Sequence, residues 1–203
     1  MIAILDYGVG NLFSLKSSLD KLGFDNIITG DKKDIMSCDR LILPGVGSFK
    51  TAMSKLNEKG LSDVVYDFVS SGRYMMGICL GMQLLYKRSF EFGECEGLGF
   101  LEGDIVPLSD KLSDEFLIPH MGWNSLEIIN YSPLLKDIDK NSFVYFVHSY
   151  YAELNKIETV AYSDYGVEVT AISQKDNVFG CQFHPEKSGK VGLTILKNFC
   201  EIK

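Results

Sequence analysis

The sequence predicts an α/β fold, with a central, mostly parallel sheet flanked by helices and extra antiparallel strands later in the chain. Three observations carry that expectation. Short apolar runs of strand type alternate with stretches of helical periodicity through the first half. The second half is richer in strand-type runs, some only a few residues apart, which suits antiparallel pairing. Across 203 residues there is no internal repeat, low-complexity tract or Pro/Gly-rich linker, so residues 1–203 are expected to form a single domain.

The elements follow in order. Ile2–Leu5 opens the chain as a strand. Leu12–Leu22 places Leu12, Leu15, Leu19 and Leu22 at helical spacing, and Gly23 stops it. Leu41–Leu43 is a second buried run, ended by Pro44-Gly45. Leu61–Val69 reads as a helix with Leu61, Val64, Val65, Phe68 and Val69 on one face. After Gly72, the strand Tyr74–Ile78 runs into a helix starting near Leu80. Gly103–Val106, Asn141–His148, Glu158–Tyr162, Val169–Ser173 and Val178–Phe183 read as strands. A final helix over Gly189–Cys200 aligns Val191, Ile195 and Phe199.

Bulk properties exclude several classes. A formal net charge of -7 argues against nonspecific binding to nucleic acid, because phosphate neutralisation needs clustered Lys and Arg. No run of about 18 apolar residues is present, so no membrane span is expected. The start, MIAILDYGVGN, lacks a basic region and reads as a first strand rather than a signal peptide. The five cysteines, Cys38, Cys79, Cys95, Cys181 and Cys200, are widely spaced and contain no CxxC. That usage fits a reduced, cytoplasmic compartment, with room for one reactive thiol among inert ones.

The sequence "GICLGMQ", residues 77–83, puts Cys79 between Gly77 and Gly81 where a strand stops and a helix starts. This G-x-C-x-G spacing is the cysteine counterpart of a nucleophile elbow. The sulfur then sits at the carboxyl edge of the sheet and at a helix N-terminus, where unpaired N–H groups and the positive end of the helix dipole favour thiolate over thiol. The Leu80 N–H is aimed where an oxyanion would form. A buried structural cysteine with glycines for packing is the competing reading.

A thiolate needs a proton partner, and the chain has three histidines, His120, His148 and His184. In "CQFHPEKS", Pro185 disfavours helix for His184, so His184 and Glu186 are expected on the same side of an extended segment. Glu186 then orients the imidazole and leaves its other nitrogen for Cys79, in chain order Cys, His, Glu. A solvated Glu186 beside an edge-strand histidine is the alternative. Cys181 and His184 have CxxH spacing, but no second Cys/His pair of zinc-like spacing occurs, so no metal is expected.

Two glycine loops remain. "DYGVGN", residues 6–11, gives only part of a dinucleotide fingerprint, because Phe13 stands where a third glycine is wanted; a tight turn is the alternative. "LPGVGSF", residues 43–49, can expose the backbone N–H groups of Gly45, Val46 and Gly47 beside the elbow, or be a plain Pro-Gly turn.

Taken together, GICLGMQ and HPE at this separation resemble the class I, or triad-type, glutamine amidotransferase domain. "LDYGVGNL", "LPGVGSF", "GICLGMQLLY", "GLGF", "IPHMGWN", "FVHSYY" and "QFHPEKSG" narrow the resemblance to one branch, the glutaminase subunits of imidazole glycerol phosphate synthase in histidine biosynthesis. It covers the chain from Ile2 to about Phe199. The resemblance implies attack by Cys79 on the side-chain amide of L-glutamine, proton transfer by His184, and an oxyanion hole from the Leu80 N–H and a backbone N–H in Gly45–Gly47. It implies that Gln83, His148, Ser149 and Tyr150 help hold glutamine. No cofactor is implied.

Tyr7, Asn11, Met121, Gly122, Trp123 and Asn124 would face a partner, a (β/α)8-barrel cyclase that receives the ammonia through a channel. On residue type alone, Trp123, the only tryptophan, reads as core. The chain departs from the branch at Phe13 and Leu117, where basic residues are usual, and in "YKRSFEFGE". A paralogous subunit feeding ammonia to a surface-sugar amidotransferase fits the same motifs. A cysteine peptidase on the same elbow, or a partner-binding domain with a relic pocket, fits the elbow alone.

Overall fold

In the computed structural model, which describes residues 1–203, the chain begins β1 (Ile2–Leu5), α1 (Leu12–Leu22), β2 (Asn26–Thr29), α2 (Lys32–Ser37), β3 (Arg40–Gly45), α3 (Phe49–Glu58) and α4 (Leu61–Ser70). It continues through β4 (Tyr74–Cys79), α5 (Leu80–Gln83), β5 (Tyr86–Ser89), β6 (Cys95–Glu96), β7 (Leu101–Pro107), β8 (His120–Ser125) and β9 (Glu127–Ile128). The last elements are β10 (Phe143–His148), β11 (Tyr150–Ala152), β12 (Thr159–Asp164), β13 (Glu168–Lys175), β14 (Val178–Cys181) and α6 (Gly189–Glu201).

The main sheet has the order β2-β1-β3-β4-β14-β13-β12-β9. The strands from β2 to β14 are parallel, and β13, β12 and β9 extend the sheet antiparallel. A β10–β8 hairpin-like pair and a four-stranded β11-β7-β5-β6 sheet lie apart from it. This is the mixed α/β architecture the sequence predicts.

The parallel strands are apolar on both faces because helices cover both. Along β3, Leu41 and Leu43 enter the core shared with α2, α3 and α4, while Ile42 enters the core shared with α1 and α6. Gly23 ends α1 in the left-handed region at φ 81°, with its N–H returned to the last turn. Asp31 caps α2 by accepting from the Lys33 and Asp34 N–H groups, worth about 1 kcal/mol.

Three differences from expectation have local causes. β2 and α2 are short, and α2 buries only Ile35, so neither leaves a periodic signal. The expectations omit α3, although Phe49, Ala52, Met53 and Leu56 stand at helical spacing and are all buried. The helix after Cys79 is one turn rather than several. Residues 80–86 are buried on every side, so no polar face exists to carry a longer surface helix. The Leu84 and Leu85 N–H groups close the turn onto Leu80 O and Met82 O at 2.9 and 3.0 Å, and the chain extends into β5.

Candidate active site

Three neighbouring parallel strands deliver the site. β3 ends at Gly45, directly opposite Cys79 at the end of β4, and β14 ends at Cys181, opposite Ile78. The Pro44–Gly47 loop, the Cys79 turn and the segment leading to His184 therefore leave one sheet edge together. Cys79 has φ 54° and ψ −114°, a region that costs a non-glycine residue on the order of 1–3 kcal/mol. Small neighbours permit it. A β-carbon on Gly81 would overlap the Leu43 carbonyl, and one on Gly77 the Gly81 carbonyl. Because α5 is a single turn, its macrodipole adds little at the sulfur. What remains is the local set of N–H groups at the turn.

His184 is extended at φ −96° and ψ 98°, as Pro185 requires, and Pro185–Lys187 then form a 3-10 turn. Glu186 meets the imidazole from within that turn rather than along a continuing strand. Its Oε1 lies 2.8 Å from His184 Nδ1, and both side chains are 4% exposed. Its Oε2 is buried without a partner. Ser188, which the sequence does not flag, clamps the histidine backbone: its Oγ donates to His184 O at 2.7 Å and accepts from Tyr145 N at 2.9 Å.

The Cys79 sulfur lies 3.9 Å from both Val147 O and Gln182 Nε2, and it lines the same cavity as His184. Burial alone would lower the His184 pKa. The Cys79 sulfur and the Glu186 carboxylate together outweigh burial and raise it to about 10, so the imidazole holds a proton at neutral pH.

That cavity has a volume of about 520 Å³, the size of a small-metabolite site. Cys79, Leu80, Val46, Gly47, His148, Ser149 and Tyr150 line it. Two charged residues that the sequence reading passes over, Glu91 and Lys187, also line it. Gln83 lines the cavity but spends both amide hydrogens internally, on Tyr150 O at 2.8 Å and Gln182 Oε1 at 2.9 Å. His148 has both ring nitrogens engaged, by Tyr150 O and by His120 Nδ1. It shapes the wall and has no nitrogen free for a ligand. No group of three or more His, Cys, Asp or Glu side chains has metal-holding geometry.

Burial lowers the pKa of His148 to about 3, with His120 beside it adding to the effect, and burial lowers His120 to about 4. The sign follows. From about pH 6.5 downward the unfolded chain binds protons that the folded pair refuses, so stability falls on acidification. His184 works the other way: its contribution is complete below pH 6.5 and lost as pH rises toward 10. Thermal melts across pH should therefore show a histidine-dependent maximum near pH 6.5, falling by up to about 1.4 kcal/mol per unit per histidine on the acid side. Melts that are flat between pH 4 and 6.5 would contradict the buried neutral pair.

The residues expected to face a partner divide. Met121 and Trp123 are 63% and 55% exposed, so Trp123 is not core, contrary to its residue-type reading. The side chain lies against Tyr145 and Gly189 at the rim. Phe13 and Leu117 add further exposed apolar surface. Asn11 is exposed. Asn124 is half-buried, its amide donating to Asp164 O at 2.8 Å.

Tyr7 is a correction. It is 0% exposed and cannot touch a partner. Its hydroxyl donates to Pro44 O at 2.7 Å and sits where a Gly45 β-carbon would go. Burial, with the nearby Cys79, raises its pKa. Tyr7 holds the Pro44–Gly47 loop from beneath. Gly10 of the "DYGVGN" loop also packs against Pro44, where a β-carbon would come within 3.3 Å of its ring.

A cysteine on a strained strand-to-helix turn, sharing a pocket with a carboxylate-oriented imidazole, defines a thiol-dependent acyl-transfer hydrolase on an α/β sheet. Comparison with known proteins narrows the class. The family described as "Glutamine amidotransferase class-I" matches residues 3–202. The chain belongs to the class I glutamine amidotransferase family. It is 48% identical over 205 residues to imidazole glycerol phosphate synthase subunit HisH of Caldanaerobacter subterraneus, covering 100% of this chain and 98% of that protein. It is 49% identical over 199 residues to the protein of the same name from Bacillus cereus, covering 98% and 93%. A solved glutamine amidotransferase superposes with a TM-score of 0.76 at 21% identity, over 98% of this chain and 97% of the other. The structure of PurLQS from Thermotoga maritima gives 0.73 at 20%, over 98% and 96%.

Proposed function

We propose that this chain is the glutamine-hydrolysing subunit of an imidazole glycerol phosphate synthase, supplying ammonia for histidine biosynthesis in the cytoplasm. Near-half identity to HisH proteins along the whole chain carries this reading. The pocket chemistry supports L-glutamine as the substrate. Glu91 and Lys187, one anion and one cation on the lining, complement the zwitterionic end of an amino acid. Its side-chain amide then reaches Cys79.

Cys79 Sγ attacks the amide carbon, and the proton that His184 already holds, on an imidazole oriented by Glu186, passes to the leaving nitrogen. Ammonia departs and a glutamyl thioester remains. Water, deprotonated by His184, cleaves the thioester to glutamate, which frees the Cys79 sulfur and leaves His184 protonated again. The tetrahedral oxyanion is held by the Leu80 N–H and by an N–H of the Gly45–Val46–Gly47 loop, after that loop turns its peptide inward.

The exposed apolar residues Met121 and Trp123, with Phe13, Leu117 and Asn11, fit a surface covered by a (β/α)8-barrel cyclase that consumes the ammonia. Glutamine turnover by the chain alone should be slow, and should rise at least tenfold when the cyclase and its nucleotide-like substrate are added. Full-rate hydrolysis by the isolated chain would remove the coupling. Failure to complement a histidine auxotroph lacking this subunit would remove the pathway assignment.

A further inference from the structure

We propose that His120 is a positioning residue for the glutamine pocket: through a hydrogen-bonded, neutral pair with His148 it fixes the Val147–Tyr150 wall against which the substrate packs. The proposal rests on the glutaminase reading and assigns to it a residue that never touches substrate.

The protonation pattern can be deduced from both ends. Tyr150 O is a carbonyl and only accepts, so His148 Nδ1, 2.9 Å away, carries hydrogen. His148 Nε2 is therefore the acceptor, and His120 Nδ1, at 3.0 Å, must donate to it. That leaves His120 Nε2 without hydrogen. The other end gives the same answer independently. Asn124 Oδ1 accepts from Ser125 N at 2.8 Å, and Asn124 Nδ2 donates to Asp164 O at 2.8 Å. The orientation of this amide is thus fixed, and its second hydrogen points to His120 Nε2 at 3.4 Å. A proton added to either imidazole would set two donors face to face. Both rings are accordingly neutral Nδ1–H tautomers, consistent with their lowered pKa values.

The chain ends on the pocket. Tyr150 O takes a second hydrogen bond from Gln83, so its two lone pairs tie the histidine pair to the turn that carries Cys79. Val147 O, on the same wall, lies 3.9 Å from the Cys79 sulfur. At the other end His120 is held in a stack, with ring centroids 4.6 Å from Phe146 and 3.9 Å from Tyr165. It also borders a second cavity, of about 270 Å³, shared with Met121, Trp123 and Asn124. The pair therefore spans from the exposed β8 face to the catalytic pocket.

Substituting His120→Phe keeps the stack and removes the donor. In the full chain with the cyclase, KM for glutamine should rise about tenfold, as expected when a buried acceptor loses its partner. The kcat value should stay within about twofold, because the wall holds ground and transition states alike. His120→Asn returns an N–H near the Nδ1 position and should recover most of the KM. Should His120→Phe not fold, His120→Leu against His120→Asn makes the same comparison, since those two match in shape and differ in the donor.

An unchanged KM in His120→Phe, or equal losses in Asn and Leu at matched melting temperature, would overturn the proposal. So would a 15N spectrum of the wild-type histidines at pH 7 showing an Nε2–H or doubly protonated ring at either position. Absence of glutamine turnover by the wild type would instead fail the functional reading, leaving the spectrum to judge the pair.

Discussion

Cys79→Ala abolishes glutamine-dependent synthesis by the complex, lowering glutamine turnover by about 10⁴-fold or more, while synthesis from added ammonia continues. The asymmetry follows from the chemistry. On the proposed mechanism the thiol forms the bond to the substrate and has no substitute. Ser149 also lines the pocket, but its neighbour His148 has both nitrogens engaged and can take no proton from it. On the proposed function the partner, by contrast, draws on ammonia whatever its source. Alanine also relieves nothing that the fold depends on, because the turn is held by Gly77, Gly81 and β3 rather than by the sulfur. Steady-state assays with glutamine and with ammonium salt measure both arms. Loss of both would make Cys79 structural, and retention of the glutamine arm would end the nucleophile assignment.

Gly81→Ala destabilises the fold by more than about 4 kcal/mol, a fall in Tm on the order of 10 °C for a chain of this size, or prevents accumulation altogether. The added β-carbon meets backbone, the Leu43 carbonyl of β3, and neither β3 nor the turn can yield without breaking the parallel pairing. Gly23→Ala is the comparison. Gly23 has a positive φ, which Gly81 does not, and open space where the β-carbon goes, so only the left-handed strain of about 1–2 kcal/mol applies. Melting curves for the two variants separate close approach from backbone strain. If Gly81→Ala melts with the wild type, the elbow and β3 are not in that contact.

Much of this was legible in the chain. The strands feeding the site are short, largely apolar runs, one of them ended by Pro44-Gly45, and such runs declare themselves because both faces are buried. Cys79 and its glycines were visible for a similar reason: a strained turn with close backbone approach admits few residue types. Legibility failed where the determinant was distant in sequence. β2 and α2 are too short to show a period. Glu91 and Lys187 look like any surface charges, and only the folded chain brings them to one cavity.

By itself, then, the sequence determined the α/β class, the strand-turn-helix element at Cys79, the extended approach to His184, and the chain's net negative charge. The tertiary structure alone decided that Tyr7 lies beneath a loop instead of at a partner surface, and that Trp123 is exposed instead of core. It also decided that one of three histidines is charged beside a carboxylate while the other two are locked neutral. Local pattern records which face of an element is apolar. The cover over that face, and the partner of each ring nitrogen, come from residues tens of positions away. Burial and protonation therefore become definite only when those strands have met.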